Sequence, residues 1–213
     1  MAIETKEEYW SRFQTTFDEN QEYVVGKEHL DEVKESVKSL SDLGEVLELG
    51  CGTGCFTETI ALNADHVFAT DLSDELLENA RKRTEKVDNI TVQKENCMST
   101  SFTSKKFDTV FMANLIHVIE SPSKVLQECY RILKDDGLVI IVGFTNYGMK
   151  TLEKIKLGIR FIKVWGKPPK FTHRFSPDSL SSLVDSAGFS IKESKLIGRK
   201  VKSLFLIGKK INS

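Results

Sequence analysis

From about residue 45 onward, short apolar runs alternate with longer stretches of helical spacing. Residues 46–49, 67–70, 90–92, 109–112 and 138–142 read as strands, several of them unbroken apolar runs of the kind expected when both faces of a parallel sheet are covered. Residues 56–63, 74–83 and 121–133 read as the helices between them. Asp74 follows Ser73 and precedes Leu76, Leu77 and Ala80, a capped start, and Ser121-Pro122 puts proline in a first helical turn. This alternation predicts an α/β fold, a doubly wound sheet with helices on both faces. The ends depart from it. Residues 4–40 carry helical spacing only, with Leu30, Val33, Val37 and Leu40 on one stripe, and predict an N-terminal helical cap. After Val142, glycines, prolines and aromatics interrupt the rhythm until a helix at 177–186. Two closing strands, 189–196 and 201–207, flank Gly198-Arg199-Lys200 and suit an antiparallel hairpin.

A chain of 213 residues suits one domain with some insertion. Lys and Arg total 30 against 31 Asp and Glu, so overall charge gives no argument for nucleic-acid binding. The opening "MAIETKEEYWSRF" has no apolar core of signal-peptide or membrane-span length, which points to a cytoplasmic protein. Four cysteines, Cys51, Cys55, Cys97 and Cys129, form no CxxC pair and read as reduced thiols. No metal site is expected, because no histidine is spaced to complete a cluster around Cys51, Cys55 and Cys97.

The candidate chemistry centres on "ELGCGTGCF", residues 48–56, directly after the first strand. Glycines there let backbone approach a ligand, but the spacing is GxGxG, and the dinucleotide register GxGxxG would need glycine at Cys55. Glu48 just before the turn would repel a pyrophosphate and suit a cation. Asp71 closes the second strand, where a carboxylate can accept both hydroxyls of a ribose. The ligand should therefore carry a ribose and a positive group, without phosphates.

With "VLELGCGTG", "ATDLSDELLENARKR", "FDTVFMANLIHVI" and "VLQECYRILKDDGLVIIV" in order, the sequence resembles the class I S-adenosylmethionine-dependent methyltransferases of small-molecule type, over about residues 44–143 and more loosely 171–208. The resemblance implies a Rossmann-like, mostly parallel seven-stranded sheet with an antiparallel C-terminal hairpin strand. It implies one domain: a cap at 1–43, a cofactor-binding core at 44–143, a basic and aromatic insertion or lid at 144–176, and a closing helix and hairpin at 177–213. Gly50, Cys51 and Gly52 would touch the methionine part of the cofactor, Glu48 its amino group and Asp71 its ribose, with Leu72 on the adenine face. Asn96 stands where the family usually has Asp, and with Cys97 and Met98 it would line the adenine pocket. Asp136 stands where a second glycine is common.

Asn114 and His117 follow the fourth strand, at the edge where ligands collect in open α/β sheets, with Asn114 placed against the cofactor. His117 is the candidate general base; its blander reading is packing between strand and helix. Tyr9, Tyr147, His173 and Arg174 are candidate substrate contacts, with Trp10 and Phe13 closing over the site and Trp165 and Phe171 shaping the acceptor pocket. Lys150, Lys154, Lys156, Arg160, Lys163, Lys167, Lys170 and Arg174 face one acid, Glu153, so 150–174 suits a weak contact with a membrane surface or an acidic substrate, or simply a solvated lid face. The expected function is methyl transfer to a small molecule, with no nucleic-acid partner. The rivals are a non-catalytic S-adenosylmethionine-binding protein, a methyltransferase of protein or nucleic acid, and a nicotinamide oxidoreductase.

Overall fold

The computed structural model describes residues 6–168 and 172–212. Seven strands form one sheet: β1 (Glu45–Leu49), β2 (His66–Asp71), β3 (Ile90–Lys94), β4 (Phe107–Ala113), β5 (Leu133–Thr145), β6 (Phe189–Ile197) and β7 (Lys202–Lys210). Their order is β3-β2-β1-β4-β5-β7-β6. The first five run parallel, and β7 pairs antiparallel with both β5 and β6. Chain order reverses between β1 and β4, so their carboxyl ends open the crevice in which α/β sheets take ligands.

Alternation along the strands feeds two cores. Leu47, Leu49, Val110, Met112, Val139 and Ile141 pack with α6 (Pro122–Ile132) and α8 (Pro177–Ser186) through Val125, Leu126, Ile132, Leu180 and Val184. Val46, Val67, Ala69, Phe111, Ile140 and Phe205 pack on the opposite face against Val33 and Val37 of α3 (Lys27–Lys38), Ile60 of α4 (Thr57–Ala61), and Leu77 and Ala80 of α5 (Asp74–Thr84). Two boundaries differ from the sequence pattern. The helix expected over 56–63 keeps only α4, because the backbone of Asn63 accepts from the Leu43 amide and its side chain donates to the Lys38 carbonyl. The strand expected over 138–142 begins at Leu133, directly after α6. Asp136 there adopts φ 65°, the conformation glycine would take freely, and its carboxylate accepts from Lys209 at 2.9 Å.

The cap contributes α1 (Lys6–Ser11) and α2 (Phe17–Val25) as well as α3. Within the insertion, α7 (Thr151–Trp165) packs against α2. Val24, Val25, Leu30 and Trp165 form a third apolar cluster with Trp10, Phe13, Phe17, Phe144, Leu157 and Phe161. The Trp165 ring meets Trp10, Phe13 and Phe17 edge-on at centroid distances of 5.5, 4.8 and 5.1 Å. Residues from opposite ends of the chain thus make one aromatic lid over the sheet's carboxyl edge.

Candidate active site

The glycine turn after β1 makes the floor of the site. Gly50, Gly52 and Gly54 all have positive φ, and the first two are held open for different reasons. A Cβ on Gly50 would come within 2.8 Å of Leu115, whereas one on Gly52 would project toward Phe17 at 3.8 Å, with both residues on the cavity wall. Asp71 at the end of β2 fixes this turn: its Oδ2 accepts from the Gly52 amide and its Oδ1 from the Ser73 amide, both at 3.0 Å.

Glu48 sits beneath the turn with 1% of its surface exposed and accepts from the Thr57 hydroxyl at 2.6 Å. Burial raises its pKa to about 7 against the opposing pull of that hydrogen bond, and the nearby Asp71 adds to the rise. The carboxyl therefore switches charge near neutrality. Glu48, Asp71 and Glu95 all line the cavity, and among the described residues no Lys or Arg does. Such a lining attracts a cation and repels phosphate.

After β3, Asn96 turns its Oδ1 to the Met98 amide at 3.0 Å, which spends one of the carbonyl's lone pairs on the loop itself. Cys97 and Met98 follow on the cavity wall, with Leu72 across from them at the end of β2. Asn114 after β4 takes φ 55°; its amide donates to the Val142 carbonyl and its Oδ1 accepts from the Phe144 amide, tying β4 to β5 at the cavity edge. His117 also faces the cavity. Its Nδ1 is shielded from solvent and has no hydrogen-bond partner among the described residues. Burial, with a smaller contribution from the neighbouring His173, lowers its pKa to about 4, so the imidazole is neutral at pH 7.

The lid supplies Trp10, Phe17, Gln21, Val24, Val25, Phe161 and Trp165 to the cavity, and Gln21 is the one amide or charged side chain among them. It is latched to the floor. The Thr53 hydroxyl donates to Asp18 at 2.6 Å, Arg83 pairs with Asp18, and the same guanidinium donates to the Thr53 carbonyl at 3.0 Å.

Comparisons with known proteins agree with this geometry. Residues 47–141 match the methyltransferase domain family. Over 161 residues the chain is 29% identical to a ubiquinone biosynthesis O-methyltransferase of Haemophilus ducreyi, spanning 71% of this chain and 67% of that one. Over 118 residues it is 29% identical to a demethylmenaquinone methyltransferase of Tropheryma whipplei, spanning 55% and 49%. A SAM-dependent methyltransferase structure from Thermotoga maritima superposes with a TM-score of 0.73 at 22% identity, covering 95% of this chain and all of that one.

Residues 47–141 are a methyltransferase domain, and relatives and fold together support a class I S-adenosylmethionine-dependent methyltransferase.

The methyltransferase departs from the sequence expectation at four residues, which stand off the cavity wall. Tyr9 is buried inside the lid, its hydroxyl donating to the Trp165 carbonyl at 3.0 Å. Tyr147 is half-exposed in the loop before α7. His173 turns inward, its Nε2 donating to the Ile119 carbonyl at 2.9 Å, and its amide holds the His117 carbonyl at 2.7 Å. Arg174 faces solvent. Phe13 packs in the lid cluster without reaching the cavity, and Phe171 and Lys170 lie outside the described residues. Conversely, Phe17, Gln21, Val24, Val25, Glu95, Phe144 and Phe161 line the cavity unanticipated. Cys51 and Cys55 both reach it as well, with burial pushing each thiol up, so they stand as protonated small groups. Among the described residues no group of three or more His, Cys, Asp or Glu is placed to hold a metal ion.

Proposed function

We propose that the methyltransferase carries the methyl group of S-adenosylmethionine to a hydroxyl on a planar, largely apolar small molecule. The observation that carries this reading is the unlike character of the cavity's two sides. Three carboxylates, Glu48, Asp71 and Glu95, lie along the strand ends, and an aromatic and aliphatic wall comes from the lid. The first side fits a nucleoside joined to a cationic amino acid; the second fits a ring. The names of the relatives, methyltransferases of ubiquinone biosynthesis and of demethylmenaquinone, support an acceptor of that kind.

When bound, S-adenosylmethionine supplies an activated methyl on a sulfonium. Glu48, ionised, would hold the ammonium group, and Asp71, already oriented by the Gly52 and Ser73 amides, would take ribose hydroxyls. The open face of Gly52 admits the ligand's close approach to backbone. Leu72, Cys97 and Met98 would enclose the base, with Asn96 offering its Nδ2 and the second lone pair of Oδ1. Trp10, Phe17, Phe161 and Trp165 would orient the acceptor ring and exclude water, which is most of what an in-line transfer asks of a protein. The proton acceptor for the ring hydroxyl is the His117 imidazole through Nε2, since Nδ1 is sealed from solvent. An imidazole of pKa about 4 does not ionise a phenol in advance. It accepts the hydrogen bond, then the proton as transfer proceeds.

Both tryptophans of the chain, Trp10 and Trp165, line the cavity, so intrinsic fluorescence tests the acceptor class directly. Titration with hydroxylated aromatic rings in the presence of S-adenosylhomocysteine should change the emission saturably. Saturable binding of polar amines or sugars, with no response to rings, would overturn the assignment.

A further inference from the structure

Helix α7 presents two apolar faces. Leu157, Phe161, Val164 and Trp165 turn inward to the lid cluster. Leu152, Ile155, Ile159 and Ile162 turn outward and are 70%, 54%, 63% and 62% exposed. At 100° per residue the four outward side chains fall within a single stripe about 80° wide. Four large aliphatic groups left together in water on one helix are not the scattered singles of an ordinary surface.

The charge beside the stripe indicates what covers it. From 150 to 167 the chain carries six cations, Lys150, Lys154, Lys156, Arg160, Lys163 and Lys167, against one carboxylate, Glu153, in a protein whose net charge is −1. On the same helical projection Lys156 and Lys163 border the stripe directly. Tyr23 of α2, 45% exposed, lies against Lys163, with the Lys163 Nζ donating to its hydroxyl at 3.3 Å, and adds an amphipathic ring at this border. No described helix is long and apolar enough to cross a membrane. An exposed aliphatic stripe flanked by long basic side chains is instead the pattern of a helix lying in the plane of a bilayer interface.

We propose that the outer face of α7 docks the methyltransferase on an anionic bilayer surface, its aliphatic stripe entering the boundary between headgroups and acyl chains while the flanking lysines meet anionic headgroups. Because the opposite face of the same helix gives Phe161 and Trp165 to the cavity, docking places the acceptor wall one helix thickness from the lipid. The binding itself is independent of which acceptor is methylated.

Cosedimentation with vesicles tests it. The wild-type protein should partition onto phosphatidylglycerol vesicles at least tenfold more than onto phosphatidylcholine vesicles, and high salt should reduce the difference. Ile155→Ser/Ile159→Ser should lose at least tenfold in partitioning with an unchanged circular dichroism spectrum and unchanged S-adenosylhomocysteine affinity. Lys156→Gln should lose about fivefold, the contribution of one cation near such a surface. Equal partitioning of wild type and the isoleucine variant would overturn the proposal. So would the absence of vesicle binding together with a dimer that Ile155→Ser/Ile159→Ser dissolves, since a second copy of the chain would then cover the face.

Discussion

Replacing Glu48 with glutamine should separate the stability of the methyltransferase from its affinity for S-adenosylmethionine. The carboxyl is buried under the glycine turn, and its pKa rises from 4.5 to about 7. A carboxyl whose folded pKa lies above its unfolded value stabilises the fold fully below about pH 4.5, and that contribution is lost as pH rises through 7. At 1.36 kcal/mol per pH unit between the two values, the ligand-free protein loses about 3 kcal/mol from this group between acid and about pH 8. Glutamine keeps an oxygen to accept from Thr57 and carries no charge to bury. Glu48→Gln should therefore match the wild type in denaturant unfolding at about pH 4.5 and exceed it by roughly 2–3 kcal/mol at about pH 8. Affinity should move the other way. At about pH 7.5 the variant lacks the ionised partner for the ligand's ammonium group and should bind at least tenfold more weakly, for a charge-assisted contact of about 1.5–3 kcal/mol. The wild type itself should bind up to about 25-fold more weakly at about pH 5.5 than at about pH 7.5, because only a small fraction of Glu48 is then ionised. A stability difference that does not change with pH, or equal calorimetric affinities at about pH 7.5, would refute the reasoning.

Asp71→Ala removes the acceptor of the Gly52 and Ser73 amides together with that proposed for the ribose, and should weaken S-adenosylhomocysteine binding about 10–100-fold in calorimetry. With a hydroxylated ring as acceptor, His117→Phe should leave cofactor affinity within about twofold and lower kcat about 10²–10⁴-fold. Because the His117 pKa is about 4, wild-type kcat should show no inflection near 6.5, where an ordinary histidine titrates, and a pH–rate profile checks this. Asp18→Ala unlatches the lid from Thr53 and Arg83. For a partly exposed ion pair worth about 1 kcal/mol or less, steady-state kinetics should show up to about a fivefold rise in acceptor KM with little change in kcat.

The sheet and the strand-end residues that line its cavity were legible in the sequence because each leaves a local signal. Continuous apolar runs marked the parallel strands, the GxGxG turn marked the first loop, and Glu48 and Asp71 are carboxylates at strand ends where a core has no use for charge. The lid side of the cavity was not legible for the same kind of reason. Val24, Val25, Phe17 and Phe161 lie on helices whose apolar spacing reads equally well as core, and only packing of α2 against α7 turns part of each toward a cavity. Polar identity misled in the other direction. Tyr9 and His173 are residue types that often meet substrates, yet both satisfy backbone carbonyls left by the lid and by the 3₁₀ turn at Ile116–Val118 and its exit. Asp136 shows how a departure from the glycine pattern is accommodated: a strained φ is held by Lys209 and by Asn212, whose Oδ1 accepts from the Asp136 amide, with the β5–β7 pairing intact.

The central claim is tested most directly by following the label from methyl-labelled S-adenosylmethionine into products. With a panel containing hydroxylated aromatic rings, amines, a protein extract and nucleic acid, the label should appear on a ring oxygen. At low cofactor concentration it should fall about 10–100-fold in Asp71→Ala, and it should fall steeply in His117→Phe at any cofactor concentration. Label found on protein, nucleic acid or amines, with none on any hydroxylated ring, would contradict the account.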